Sequence, residues 1–235
     1  MYPNQYRFSG AIVLDFDDTI AATRETRAKL LCEVALSHFG VHILEEKINA
    51  NWGKPFDELL KYLMPNVNER EFSNIYADAM RKYPPKILPG VQDIFQEAYN
   101  NHIAILILSS GSNKLVSQDI EIAKLSNFVL KLWGHEDTTQ HKPDPRVLDP
   151  LLAFSISLGI SKNTLLYIGD STSDYHIAKR NGVLFIATLT GSQTEQDFLL
   201  AGLPQEYIVK DLSLIKLGHH TISVRNKKVL SLSDK

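Results

Sequence analysis

Five short apolar runs, "AIVLDF" (11–16), "IAILILS" (103–109), "FVLKLWG" (128–134), "TLLYIG" (164–169) and "VLFIATL" (183–189), punctuate this chain, and most of the intervals between them carry helical periodicity. Near-continuous apolar runs of strand length indicate strands buried on both faces, and strands that alternate with helices indicate a parallel sheet covered on both sides. The expected fold is therefore α/β, a doubly wound parallel sheet with a Rossmann-like core. A chain of 235 residues has room for such a core together with a smaller inserted domain.

The interval from about 24 to 83 breaks the alternation. "TRAKLLCEVALSHFG", "LEEKINAN", "PFDELLKYLM" and "NEREFSNIYADAMRKY" read as successive amphipathic helices with no strand among them. The expectation is an all-helical insertion over residues 21–85, with residues 1–20 and 86–235 forming the core. "YPPKILPGV" (83–91), with three prolines and a glycine, reads as the hinge that returns the chain to the sheet. The last segment, "LGHHTISVRNKKVLSLSDK", reads equally as a short hairpin or as a loose tail.

Composition removes several function classes. A formal charge of -2 gives no electrostatic reason to expect nucleic acid or an anionic membrane as a partner. The first ten residues lack the apolar segment of a signal peptide, and "IAILIL" is far shorter than a membrane span. The reading is a cytoplasmic protein, a monomer or homodimer. Cys32, the single cysteine, excludes an internal disulfide and a thiolate zinc cluster, and is expected on a buried helix face.

Ligands of doubly wound sheets bind at the carboxyl ends of the strands. Reading those positions in order gives Asp15, Asp17 and Thr19 after the first strand; Ser109, Ser110 and Gly111 after the second; Lys142 in "HKPDP"; then Asp170 and Asp174 in "GDSTSD". Acids packed as tightly as Asp15, Asp17 and Asp18 raise one another's pKa unless a cation sits among them. Four carboxylates, a hydroxyl and a lysine on one rim suit phosphate and Mg²⁺, which takes one or two protein carboxylates, water and phosphate oxygens. The chemistry assigns roles. Asp15 is the candidate nucleophile, holding phosphorus as an acyl phosphate. Asp17, two residues along an extended strand end, is placed to protonate the leaving oxygen and then deprotonate water. Lys142, the Ser109 hydroxyl and nearby backbone N–H groups are placed to hold phosphoryl oxygens.

"DFDDT" (15–19) resembles the D-x-D-x-T signature of the haloacid dehalogenase-like hydrolases; "ILILSS", "HKPDP" and "YIGDSTSD" resemble their second, third and fourth motifs, in the family's order. The helical insertion sits where the phosphoglycolate phosphatase-like branch carries a helical cap, and the resemblance extends over about residues 8 to 212. It implies a phosphorylated nucleophile at Asp15, an acid/base at Asp17 that also gives its backbone carbonyl to Mg²⁺, phosphoryl contacts at Ser109 and Lys142, and metal ligation by Asp170 with Asp174 completing or orienting the shell. A carboxylate at position 17, absent from the family's dehalogenases, implies a phosphatase acting on a small phosphorylated metabolite.

Two positions depart from the family pattern. Asp18 stands where many relatives have glycine, tolerable because Asp enters the left-handed region, and is expected to face solvent rather than to sharpen metal binding. His141 stands where many relatives have glycine before the lysine and is likewise expected on a solvent-facing loop, with a substrate contact as the alternative. "NWGKPFDELL" (51–60) resembles the cap loop that faces the site, making Trp52, Gly53 and Lys54 candidate substrate contacts; core packing for Trp52 and a solvated side chain for Lys54 are the plain alternatives. A phosphosugar mutase would use the same site, and a non-catalytic relative would keep the fold as a binding protein, though the presence of Asp15 and Asp17 argues against the latter. A receiver-type signalling domain shares the acids, hydroxyl and lysine but is about half this length and has no helical cap.

Overall fold

The structure, a computed structural model, describes residues 8–218, 221–224 and 227–231; the amino-terminal segment 1–7 and parts of the carboxyl-terminal segment lie outside the described residues. In chain order the elements are β1 (Gly10–Leu14), β2 (Ala21–Ala22), α1 (Arg24–Phe39), α2 (Glu45–Asn49), α3 (Phe56–Leu63), α4 (Glu69–Met80), β3 (Lys86–Ile87), α5 (Val91–Asn100), β4 (Ile103–Leu108), α6 (Asn113–Ile122), β5 (Val129–Trp133), α7 (Asp149–Ser157), β6 (Leu165–Gly169), α8 (Thr172–Asn181), β7 (Leu184–Thr188), α9 (Glu195–Ala201), β8 (Ile208–Val209), β9 (Ile215–Gly218), β10 (Thr221–Val224) and β11 (Lys227–Ser231).

Six strands form a parallel sheet in the order β5-β4-β1-β6-β7-β8. From β1 the chain first builds outward through β4 and β5, then crosses to the other side for β6, β7 and β8. The direction reverses at β1, so the crevice beyond its carboxyl end is where such a sheet binds ligands. Every residue of β1, β4 and β6 is buried. Alternate strand residues face opposite layers: Ile12, Leu14, Ile105 and Ile107 pack under α5 and α6, while Ala11, Val13, Leu106 and Tyr167 pack under α7 and α8. Burying each large aliphatic side chain contributes roughly 1.5–3 kcal/mol before conformational entropy is counted.

The helical insertion has a core of its own. Leu31, Val34 and Ala35 of α1, Ile48 of α2, Leu59 and Leu60 of α3, and Phe72, Tyr76 and Met80 of α4 form one apolar cluster, which Leu115 of α6 joins from the sheet side. On α4 the buried residues 72, 76 and 80 recur every four positions, one face of a helix. The Asn68 side chain accepts from the Glu71 N–H at 3.0 Å and caps that helix; α1 stops at Gly40, whose φ of 65° suits glycine. The two crossings between sheet and insertion pair with each other, Ala21 with Ile87 and Ala22 with Lys86, so the proline-rich hinge is partly a two-stranded ribbon.

The carboxyl-terminal segment, which the sequence leaves open, is an antiparallel sheet of order β11-β10-β9. Ile215, Leu217, Ile222 and Val224 enter the same core as α5. Glu97 of α5 accepts from the Leu217 N–H at 2.9 Å, and Asn101 Nδ2 donates to the Leu217 carbonyl at 2.9 Å. Cys32 is half-buried on α1, against the insertion core, rather than fully enclosed. Among the described residues no helix is long and apolar enough to cross a membrane.

Candidate active site

Asp15 is the first residue past β1, and its N–H donates to the Ile168 carbonyl at 3.0 Å, continuing the β1–β6 ladder by one step. The chain then turns sharply: the Phe16 carbonyl accepts from Ile20 N–H at 2.9 Å, and Asp18 takes the left-handed conformation with φ 58°. Asp18 does not face solvent. It is 6% exposed, because its carboxylate folds back onto the start of α1 and accepts from the Thr23 and Arg24 N–H groups at 3.1 and 3.3 Å. The first turn of a helix offers unsatisfied N–H groups and the positive end of its dipole, and both favour an anion. Burial still pushes the Asp18 carboxyl up to about 6.

Lys142 is the hub of the site. Its Nζ lies 2.6 Å from Asp15 Oδ1 and 2.7 Å from Asp174 Oδ1, with all three side chains under 10% exposed. Asp174 is held from its other sides by the Tyr167 hydroxyl, which donates to Oδ1 at 2.6 Å, and by the Ser171 hydroxyl at 2.6 Å from Oδ2. Asp170 completes an acidic group: one carboxylate oxygen each from Asp15, Asp170 and Asp174 lie within 4.8 Å of one another. Burial, foremost, raises the pKa of Asp15 to about 7 and that of Asp170 well above the usual range; neighbouring carboxylates add to both, and Lys142 opposes. Two buried acids and the half-buried Asp170 converging against one lysine leave an uncompensated negative charge, the environment a divalent cation relieves. Gly191 makes this packing feasible: a Cβ there would lie 1.8 Å from Asp170 Oδ2.

Asp17 stands outside that triplet. Its Oδ1 accepts from the Thr23 hydroxyl at 2.5 Å, and its half-buried carboxyl is raised by burial against the opposing hydroxyls of Thr23 and Ser109 and the charges of Arg27 and Lys142. Ser109 is 2% exposed, and its Oγ accepts from the Gly111 N–H at 2.9 Å, so that N–H is already engaged. Thr19 is fully enclosed, with its hydroxyl unpartnered. His141 is half-buried, not solvent-facing, because its ring packs edge-on to His135 at 6.2 Å between centroids.

Above these groups lies a cavity of about 470 Å³. Asp15, Asp17, Ser110, Gly111, Lys142, Asp170 and Asp174 line its floor; Trp52, Gly53 and Lys54 line the wall formed by the insertion. Trp52 also packs against the insertion core, and Lys54 is exposed with its Nζ 5.5 Å from the Tyr62 ring. Three further features are not evident in the sequence. One is Tyr167 behind Asp174. Another is a buried pair in which Arg27 Nη2 of α1 lies 2.5 Å from Asp119 Oδ1 of α6, both side chains at most 6% exposed. The third is Arg24, also on the cavity wall. Tyr167 lies inside an apolar strand seven residues before its partner, and Arg27 and Asp119 are 92 positions apart, so neither pairing is announced by a local pattern.

The haloacid dehalogenase-like hydrolase family model matches residues 12–188, and the chain belongs to that family. Pyrophosphatase PpaX of Oceanobacillus iheyensis is 23% identical over 203 residues, 86% of this chain and 92% of that protein. Phosphoglycolate phosphatase of Pseudomonas fluorescens is 28% identical over 97 residues, 41% of this chain and 35% of that protein. In fold, a hydrolase from Pseudomonas syringae aligns with TM-score 0.66 at 20% identity, over 87% of this chain and 94% of that one. The chain is thus a hydrolase whose relatives include enzymes named for phosphate release.

Proposed function

We propose that this protein is a Mg²⁺-dependent phosphatase acting on a small phosphorylated metabolite through an aspartyl phosphate, with the helical insertion as the cap over its site. The observation that carries this reading is Lys142, bridging Asp15 and Asp174 beside Asp170 on the floor of a cavity that the insertion covers. A nucleophilic carboxylate must approach an anionic phosphate, and a buried ammonium at 2.6 Å lowers that repulsion.

A carboxylate oxygen of Asp15 attacks phosphorus; the bond from phosphorus to the ester oxygen breaks, and Asp17 gives that oxygen its proton. Water then attacks the same phosphorus, Asp17 takes the water's proton, and the bond to Asp15 breaks, releasing inorganic phosphate. Burial favours the protonated form that Asp17 needs at the outset, and Thr23 orients its carboxyl. Lys142 steadies Asp15 and the transferring oxygens; Ser109 fixes the loop whose Ser110 and Gly111 face the phosphoryl group. Asp15 and Asp170 have the donor chemistry and spacing for Mg²⁺, with Asp174 orienting Lys142, since Tyr167, Ser171 and Lys142 already occupy its oxygens. When bound, Mg²⁺ supplies charge neutralisation between nucleophile and phosphate. The substrate class is that of the relatives' names, small esters or anhydrides of phosphate such as phosphoglycolate and pyrophosphate.

Inorganic phosphate release from a panel of small phosphate esters and pyrophosphate, with Mg²⁺ and with a chelator, tests the reading. The expected result is release that requires Mg²⁺ and favours one compound. Isomerisation of a sugar phosphate without net release, or no turnover by the folded protein, overturns it.

A further inference from the structure

Two arginines stand three residues apart on the first turns of α1, and both line the cavity. Their charges are handled differently. Arg27 is buried and its guanidinium is cancelled by Asp119 at 2.5 Å, with a second bond to the Tyr83 carbonyl at 3.1 Å. Arg24 is half-buried, and its hydrogen bonds go to one neutral residue: Nε to Asn49 Oδ1 at 3.4 Å and Nη2 to the Asn49 carbonyl at 3.1 Å. Among the described residues no carboxylate pairs with it. Asp18 senses its charge, yet Asp18 Oδ1 is taken by the backbone N–H groups of Thr23 and Arg24, and the two side chains form no ion pair.

Helix stability does not explain Arg24, because a cation in the first turn opposes the helix dipole. Asn49 fixes the guanidinium's orientation while occupying only two of the five N–H donors an arginine has. The surrounding wall is consistent: the cavity residues contributed by the cap include Lys54 as a further cation and no Asp or Glu. The cavity thus has a floor suited to phosphate and a cap wall on which Arg24 and Lys54 form no ion pair among the described residues.

We infer that Arg24 binds a second oxyanion, a carboxylate or a phosphoryl group, on the part of the substrate remote from the phosphate that reacts. The inference deepens the phosphatase reading, and rests on it for which end of the ligand meets the floor. A half-desolvated guanidinium offers such a group charge-assisted, forked hydrogen bonds, which discriminate strongly against an analogue lacking it.

The test is calorimetric titration of the whole protein, in excess Mg²⁺, with methylphosphonate, phosphonoacetate and methylenediphosphonate. These share one phosphonate and carry in turn no second anion, a carboxylate, or a second phosphonate. At least one of the dianchored ligands is expected to bind about 10- to 100-fold tighter than methylphosphonate. Which of them gains distinguishes the carboxylate from the phosphoryl source. Arg24→Gln should collapse that advantage to within about threefold, and Arg24→Lys, which keeps the charge, should restore part of it. The comparison between variants also removes any gain that comes from Mg²⁺ chelation. Equal affinities in the native protein, or an advantage that survives Arg24→Gln, overturns the inference. Phosphate release is scored separately: an Arg24-dependent advantage without turnover would overturn the phosphatase reading and leave this one standing, and turnover without the advantage would do the reverse.

Discussion

The floor and the cap wall of the cavity are built on opposite principles. On the floor Lys142, Asp15, Asp174 and Asp17 are each held by a side-chain partner: Lys142 by Asp15 and Asp174, Asp174 also by Tyr167 and Ser171, Asp17 by Thr23. On the wall Arg24 rests on neutral Asn49, and Lys54 on the face of Tyr62. In the proposed reaction, a floor so constrained repeats one displacement with little reorganisation, whichever leaving group arrives. Under the inference drawn above, a wall whose cations lack carboxylate partners acts on the choice of leaving group rather than on that step. Under the proposed function, the contrast lodges the reaction and the selectivity in separate pieces of chain, linked covalently through the β2–β3 ribbon.

The comparison breaks most sharply at Asp15. Asp15→Asn keeps the shape of the floor and removes the nucleophile, so turnover should fall by about 10⁴-fold or more. Because it also removes one of the converging buried charges, thermal stability measured without Mg²⁺ should hold or rise. Activity near that of the native protein would sink the covalent mechanism, and Asp17→Asn should slow both formation and breakdown of the phosphorylated enzyme in single-turnover measurements.

Next in size is the joint between the two regions. Arg27→Met leaves Asp119 buried and unpaired, as Asp119→Leu leaves Arg27, and each should cost about 3–5 kcal/mol in denaturant unfolding. The double replacement should recover most of that loss, since it removes both desolvated charges. Additive losses would show that the two side chains act separately and that the joint lies elsewhere.

Much of this architecture is legible in the sequence, and the exceptions share a cause. Five of the six strands of the main sheet announce themselves because burial demands apolar runs such as "IAILIL", whereas β8, two residues long, is too short to show such a run. The acids and Lys142 are legible because strand ends are where such sheets work. Asp18 is misjudged because nothing local shows that its carboxylate will turn back to cap α1. Tyr167 hides inside an apolar strand, its hydroxyl explained only by a partner on α8, and Arg27 meets Asp119 across 92 positions. The carboxyl-terminal sheet is illegible for another reason: its inward residues Ile215, Leu217, Ile222 and Val224 gain meaning only from the underside of α5.

The floor's charge also writes itself into the pH dependence of stability. Asp15 and Asp18 titrate in the folded protein near 7 and 6, above the ordinary value of 3.8, chiefly because they are buried. The folded state therefore binds more protons than the unfolded one across this window, and ∂ΔG/∂pH is negative. Their contribution is fully present below about pH 4 and lost as pH rises through 6 and 7. With a chelator present, calorimetric Tm should fall between pH 5 and 7. Adding Mg²⁺ should flatten that slope by relieving Asp15, and an equal slope with and without the ion would count against a metal at this carboxylate cluster.

The smallest effect separates positioning from chemistry on the floor itself. Tyr167→Phe keeps the ring that fills the space beneath Lys142, whose Nζ sits 5.6 Å from the ring centre, and removes only the donor to Asp174. One hydrogen bond to a charged acceptor is worth roughly 1.5–3 kcal/mol, but Lys142 remains on the same oxygen, so the expected loss in kcat is near the lower end, about tenfold. A side chain acting only through packing would leave the kinetics unchanged or alter them through stability alone. One acting through Asp174 and Lys142 should lower kcat with KM nearly constant at temperatures where the variant is fully folded, because the group it orients meets the reacting phosphate rather than the leaving group. A change confined to KM would instead place Tyr167 with the cap wall, and would erase the division of labour between the two surfaces.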